Sequence, residues 1–209
     1  MPTYSNILSM TQSPKKQIAT LAKELGILRA SDLASKGIAR TYLTQLVDEG
    51  LLVKDSRGLY HHADHPTSTN IGLALVAKKY PNSIICLLSA LRYHEIGTQN
   101  PWEVWISIDR KARKPKMDYP PIRIFRHSKE NLQSGFEIHT IDGVPVKITT
   151  PERTVAECFK YRNKVGIDVC IEALREAWRS KQIDMNKLTH EAKACRIYNV
   201  LRPYAEAIV

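Results

Sequence analysis

The sequence predicts an α+β fold: short helices and a small β-ribbon first, then a mixed domain built from a small, mainly antiparallel sheet with flanking helices. Three observations carry this. Apolar residues recur at helical spacing in residues 14–49 and again after residue 150. Between them, residues 102–148 hold runs that alternate apolar and polar side chains, the period of a strand. Turn formers, notably Gly37, Gly50 and Asp142-Gly143, punctuate the runs.

Residues 1–13 are polar and unpatterned and are expected to lie loosely on the surface. Pro14 suits the first turn of a helix to about Leu25, with Ile18, Leu21, Ala22 and Leu25 on one face. Gly26 ends it, and Ile27-Leu28-Arg29 reads as a short strand. A second helix is expected over 32–36, with Asp32 at its positive end, followed by a sharp corner at Gly37-Ile38. A third, over 39–49, turns Leu43, Leu46 and Val47 inward and leaves Arg40, Thr41, Thr44, Gln45 and Asp48 outside. Ala39 stands where a polar cap is expected. Gly50 stops this helix, and residues 51–55 and 59–62 form a hairpin with Ser56-Arg57-Gly58 at its tip. Helix, turn, helix and basic ribbon in this order outline a winged helix-turn-helix over 14–65, ahead of a second domain over 66–209.

After a turn-rich connector, Thr69 opens a helix through Ala77, Ser83-Ile84-Ile85-Cys86 reads as a strand or the lead-in to a helix over 87–96, and Trp102, Val104, Ile106 and Ile108 share one strand face. The basic stretch 109–121 carries Pro115, Pro120 and Pro121 and is therefore a loop. Residues 122–126 resume the alternation, and Asp142-Gly143 joins 136–141 to 144–148 in a tight hairpin. Thr150-Pro151-Glu152 then caps a helix with Val155, Cys158 and Phe159 buried, and Arg153 is expected to pair with Glu157 one turn on. Two further helices follow, over 168–179 and through Leu188, Ala192 and Cys195, and Pro203 breaks the pattern of the tail.

The 209 residues carry a formal net charge of +10. Most of the surplus lies in residues 110–129, with eight basic residues against one acid, while 14–62 has eight against five. A field of this sign favours a polyanion. No apolar run is long enough to cross a bilayer, and Met1-Pro2-Thr3-Tyr4-Ser5-Asn6 lacks the pattern of a signal peptide, so a soluble, cytoplasmic protein without a membrane partner is expected. The widely spaced Cys86, Cys158, Cys170 and Cys195 read as reduced core thiols.

No catalytic centre, metal site or cofactor is expected. His61, His62, Asp64 and His65 are neighbours in a loop and lack the fixed geometry that ligands need. His94-Glu95 starts like a zinc-protease helix, but Thr98 stands where the second His belongs. Pro145 stands where a nuclease would place an acid before Lys147. A magnesium nuclease assembled from distant strands and a winged-helix regulator with a ligand-sensing C-terminal domain stay open as alternatives.

The favoured reading is binding of double-stranded DNA. Arg40, Thr41, Thr44 and Gln45 would enter the major groove, Tyr42, Lys54 and Arg57 would contact the backbone or the groove beside it, and Arg110, Lys111, Arg113, Lys114 and Lys116 would track phosphates.

The helix-turn-helix ending in Gly50-Leu51-Leu52, the wing Arg57-Gly58-Leu59-Tyr60, Ser89-Ala90-Leu91 and Thr150-Pro151-Glu152-Arg153-Thr154-Val155, in that order, resemble the AbiEi family of antitoxins and transcriptional regulators from about Pro14 onward. Ala39 departs from the family's polar cap. The resemblance implies a winged helix that binds repeats in its own promoter and represses its operon. It further implies a C-terminal domain needed to neutralise a co-encoded nucleotidyltransferase-like toxin without necessary direct contact, in a type IV system, and a role for some members in abortive phage infection. A monomer in solution is the expected state.

Overall fold

The computed structural model describes residues 13–208, so the expectation for the first twelve residues lies outside the described part. The chain divides into two compact units. One holds the chain up to Pro81 together with Lys116–Pro120 and Thr140–Pro145, and the other holds Asn82–Pro115, Pro121–His139 and Val146 onward.

The first unit contains a winged helix-turn-helix. Helix α1 (Pro14–Leu25) is capped by Ser13, whose hydroxyl accepts the Lys16 N–H at 3.4 Å, and has Pro14 in its first turn. Strand β1 (Ile27–Arg29) follows. The second helix of the motif is a single 3-10 turn, Ala34–Lys36, shorter than its sequence suggests. Asp32 accordingly serves no helix dipole; its carboxylate accepts the Arg29 N–H at 3.0 Å and pairs with Lys78 at 3.3 Å. Gly37 makes the corner in the left-handed region at φ 66°. Helix α2 (Thr41–Asp48) has Arg40, not Ala39, at its cap position and no side-chain cap. Strands β2 (Leu52–Ser56) and β3 (Leu59–His62) form the wing and join β1 in a three-stranded sheet of order β1-β3-β2. Ile18, Ala22, Leu28, Leu33, Leu43, Leu46 and Leu52 form one buried cluster, each large aliphatic contributing about 1.5–3 kcal/mol. Helix α3 (Ile71–Lys79) completes the continuous part of this unit.

The second unit is built on most of a five-stranded sheet, while the end of one of its hairpins, Thr140–Pro145, belongs to the first unit. The sheet's strands are β4 (Ile84–Ile85), β5 (Val104–Asp109), β6 (Ile122–His127), β7 (Phe136–Ile141) and β8 (Val144–Thr149), in the order β6-β5-β4-β8-β7. The sheet is mixed rather than mainly antiparallel: β5 and β6 run parallel, as do β4 and β8, while β4 and β5 run antiparallel. The β7–β8 turn has positive φ at both Asp142 and Gly143, as a type I′ turn requires. Trp102 does not share the predicted strand face; it precedes β5 and is 76% exposed.

Helix α4 (Leu87–Tyr93) is shorter than predicted. Helix α5 (Pro151–Lys160) is capped by Thr150, whose hydroxyl accepts the Arg153 N–H at 3.3 Å, and residues 152–159 are all buried. It packs against α4, α7 (Ile167–Arg179) and α8 (Met185–Ala194). The short α6 (Arg162–Val165) links α5 to α7. Pro203 does not end the helical pattern but lies inside α9 (Tyr198–Glu206).

Candidate nucleic-acid interface

Helix α2 buries Leu43 and Leu46 against the first unit's core, which forces the side chains between them outward. Arg40, Thr41, Thr44 and Gln45 are accordingly exposed on the opposite side, with Arg40 at the helix entrance. Tyr42 is half-buried and packs partly on the same core. At the far end, the Glu49 carboxylate is paired with Lys15, which offsets its charge.

The wing has a register shift between Lys54 and Ser56, so Asp55 is an extra residue in β2. Its carboxylate turns to His61 Nδ1 at 2.8 Å, where both side chains are about 10% exposed. The bulge leaves Lys54 and Arg57 exposed. Gly58 closes the tip at φ 78°, and its carbonyl accepts the Ala30 N–H at 2.9 Å, which ties the wing to β1. The neighbouring His62 accepts the Asp64 N–H on Nδ1 at 3.1 Å. Among the described residues no group of three or more His, Cys, Asp or Glu side chains has the geometry to hold a metal ion.

Arg110, Lys111, Arg113 and Lys114 are exposed in the second unit, whereas Lys116, also exposed, belongs to the first. Arg126 organises the loop. Its Nη1 donates to the carbonyls of Asp109 at 3.3 Å, Arg110 at 2.7 Å and Ala112 at 2.9 Å. The Asp109 carboxylate accepts the Lys111 N–H at 2.6 Å. Lys116 is fixed within the first unit, its N–H donating to Tyr80 Oη at 2.9 Å. Sequence reasoning missed Arg126 and the Asp55–His61 pair, because neither residue departs from its strand pattern.

Residues 16–60 match the family model described as transcriptional regulator, AbiEi antitoxin. This stretch is an AbiEi-family domain. The AbiEi-family domain spans most of α1, then β1, the 3-10 turn, α2 and nearly all of the wing, and so includes every α2 and wing residue singled out in the sequence. The family is a regulatory one. No curated protein matches the chain. No helix among the described residues is long and apolar enough to cross a membrane.

Beyond the AbiEi-family domain, the Thr150-Pro151-Glu152-Arg153 motif has an internal role. Arg153 Nε donates to Glu157 Oε1 at 2.9 Å, Nη1 to Glu191 Oε2 at 3.0 Å and Nη2 to the Asn131 carbonyl at 3.3 Å. Burial opposes the charge on Arg153, but the nearby Glu157 charge and the hydrogen bonds to Glu157 and Glu191, acting together with the other surrounding groups, hold the guanidinium above its usual value. Glu152 accepts the Asp184 N–H at 3.2 Å. All four cysteines are free and buried. Burial pushes Cys195 up to about 11 and Cys170 up to about 12, so these thiols stay protonated and are poor nucleophiles.

Proposed function

We propose that this chain is a DNA-binding regulator that represses its own operon and acts as the antitoxin of a toxin-antitoxin pair. The observation that carries the reading is the exposed polar face of α2, which sets Arg40, Thr41, Thr44 and Gln45 on one side of the AbiEi-family domain. Bidentate Arg and Gln side chains suit guanine and adenine edges, and the threonines accept either. Tyr42, Lys54 and Arg57 then contact the DNA backbone or the adjoining groove. Arg110, Lys111, Arg113, Lys114 and Lys116 supply phosphate contacts with no sequence preference.

In this reading residues 14–65 are the DNA-binding domain, and residues 66–209 are needed to neutralise a co-encoded nucleotidyltransferase-like toxin in the cytoplasm without necessary direct contact. The domain's family description supports both duties. The operator consists of repeats in the chain's own promoter, and the protein is a monomer before it binds.

A gel-shift titration on the DNA upstream of its own gene tests the reading. Arg40→Ala with Gln45→Ala is expected to cost on the order of 1–3 kcal/mol for each base contact made. Unchanged affinity in the double variant would remove α2 as the reading element.

A further inference from the structure

The sheet of the second unit ends on β6, and the outer edge of that strand is unpaired among the described residues. Two bonds to β5 set the direction of its backbone groups. The Val104 N–H donates to the Pro121 carbonyl, and the Arg110 N–H to the His127 carbonyl, each at 2.8 Å. Successive residues of a strand alternate the side to which they bond, so the N–H and C=O groups of Ile122, Ile124 and Arg126 point away from β5. Beside this edge lies a groove of about 440 Å³ lined by Glu103, Lys114, Ile122, Arg123, Ile124 and Arg126. The two isoleucines are half-buried, and the three cationic side chains around them are exposed. Arg123 is paired with Glu103 at 2.5 Å, and Lys114 and Arg126 pair with no acid among the described residues.

We propose that the β6 edge is a docking site for an extended acidic segment of a partner protein, which adds as a further strand along residues 122–126. A row of free donors and acceptors in alternation matches another polypeptide backbone, which supplies both. The cationic rim selects the sign of the partner: Arg126 shares a face of the strand with Ile122 and Ile124 and Arg123 lies on the other, so carboxylates on either face of the segment meet a cation, with Lys114 adding to the positive rim. Duplex DNA is the weaker match, since phosphates use the positive charge but are repelled by the exposed carbonyls. Arginines on an edge strand also serve to block unwanted pairing, and the test separates that role from docking. The proposal is independent of the α2 reading and shares only Lys114 with the phosphate contacts proposed above.

The probe is a short fluorescein-labelled peptide of alternating glutamate and valine, titrated with the full chain and followed by fluorescence anisotropy at low salt. Saturable binding is expected. It weakens about tenfold or more when the peptide's amides on one edge are N-methylated, and likewise when lysine replaces glutamate. On the protein side, Ile124→Pro removes one outward donor while leaving the bonds to β5 in place, and an edge position tolerates proline. About tenfold weaker binding is expected there, as in Lys114→Glu. Circular dichroism confirms that both variants are folded, and the N-methylated peptide makes the same test should Ile124→Pro fail to fold. No binding at millimolar peptide would overturn the proposal and leave the arginines as edge protection. Equal binding of the N-methylated peptide would overturn it as well. So would displacement by duplex DNA with Ile124→Pro unaffected, which would assign the charges to a nucleic-acid surface.

Discussion

A methyl group placed on Gly26 would lie 1.9 Å from the carbonyl oxygen of Asp142. The approach is mutual, because a Cβ on Gly143 would meet the Leu25 carbonyl oxygen at 2.9 Å. Two backbones touch here with no room for a side chain. The Asp142 carboxylate is held in turn by Ser68, through its N–H at 2.9 Å and its hydroxyl at 2.8 Å.

Gly26→Ala and Gly37→Ala separate the two costs of replacing glycine. Both residues have φ 66°, but nothing lies within 4 Å of a Cβ at Gly37. Gly37→Ala is expected to cost about 1–2 kcal/mol, the left-handed penalty alone. Gly26→Ala adds a backbone clash and is expected to cost more than about 3 kcal/mol. Urea midpoints of the two variants measure the difference, and equal shifts would show that the contact with Asp142 is unimportant.

Removing the Arg153 guanidinium leaves Glu157 and Glu191 without their shared partner. Arg153→Met is expected to destabilise the chain by about 3–5 kcal/mol, because Glu157 is fully buried. Glu157→Gln is expected to cost less, since the amide oxygen still accepts from Arg153 Nε. Burial already pushes the Glu157 carboxyl up, which favours a neutral group there. Thermal unfolding of the two variants decides the order.

His127 gives the protein a dependence on acid. Burial, with Lys160 and Arg153 nearby, lowers its pKa from 6.5 to about 4. An unfolded chain takes up this proton below about pH 6.5, and the folded chain does not until about pH 4. The contribution is therefore fully present above pH 6.5 and is lost as the pH falls toward 4, on the order of 3 kcal/mol in all. Replacing His127 with Gln is expected to flatten this part of the profile. Urea midpoints at pH 7.5 and pH 5.0 for the two chains make the comparison.

The wing is expected to act on DNA through charge. Arg57→Ala should weaken binding about equally on all sequences and reduce the slope of log affinity against log salt by about 1. Asp55→Ala leaves Arg57 in place but frees the bulge that presents it, so a similar loss with an unchanged slope is expected. Gel shifts at several salt concentrations distinguish the two outcomes.

The outward face of α2 was legible because a helix whose buried positions are Leu43 and Leu46 must expose Thr41, Thr44 and Gln45. The hairpin at Asp142-Gly143, the Thr150 cap and the Arg153–Glu157 pair were equally legible, because each depends on residues within one turn. Strand direction was not. The alternation in β4, β5 and β6 reads alike whichever way a neighbour runs, and only the assembled sheet set Ile85 beside Ile148 in parallel. The same holds for Arg126 under the carbonyls of its loop, for Glu191 on Arg153 and for Asp142 against Gly26. By itself the sequence determined what short-range periodicity, capping and turn chemistry control. Contacts between residues far apart in the chain depend on how the elements close on one another, and the tertiary structure alone decided them.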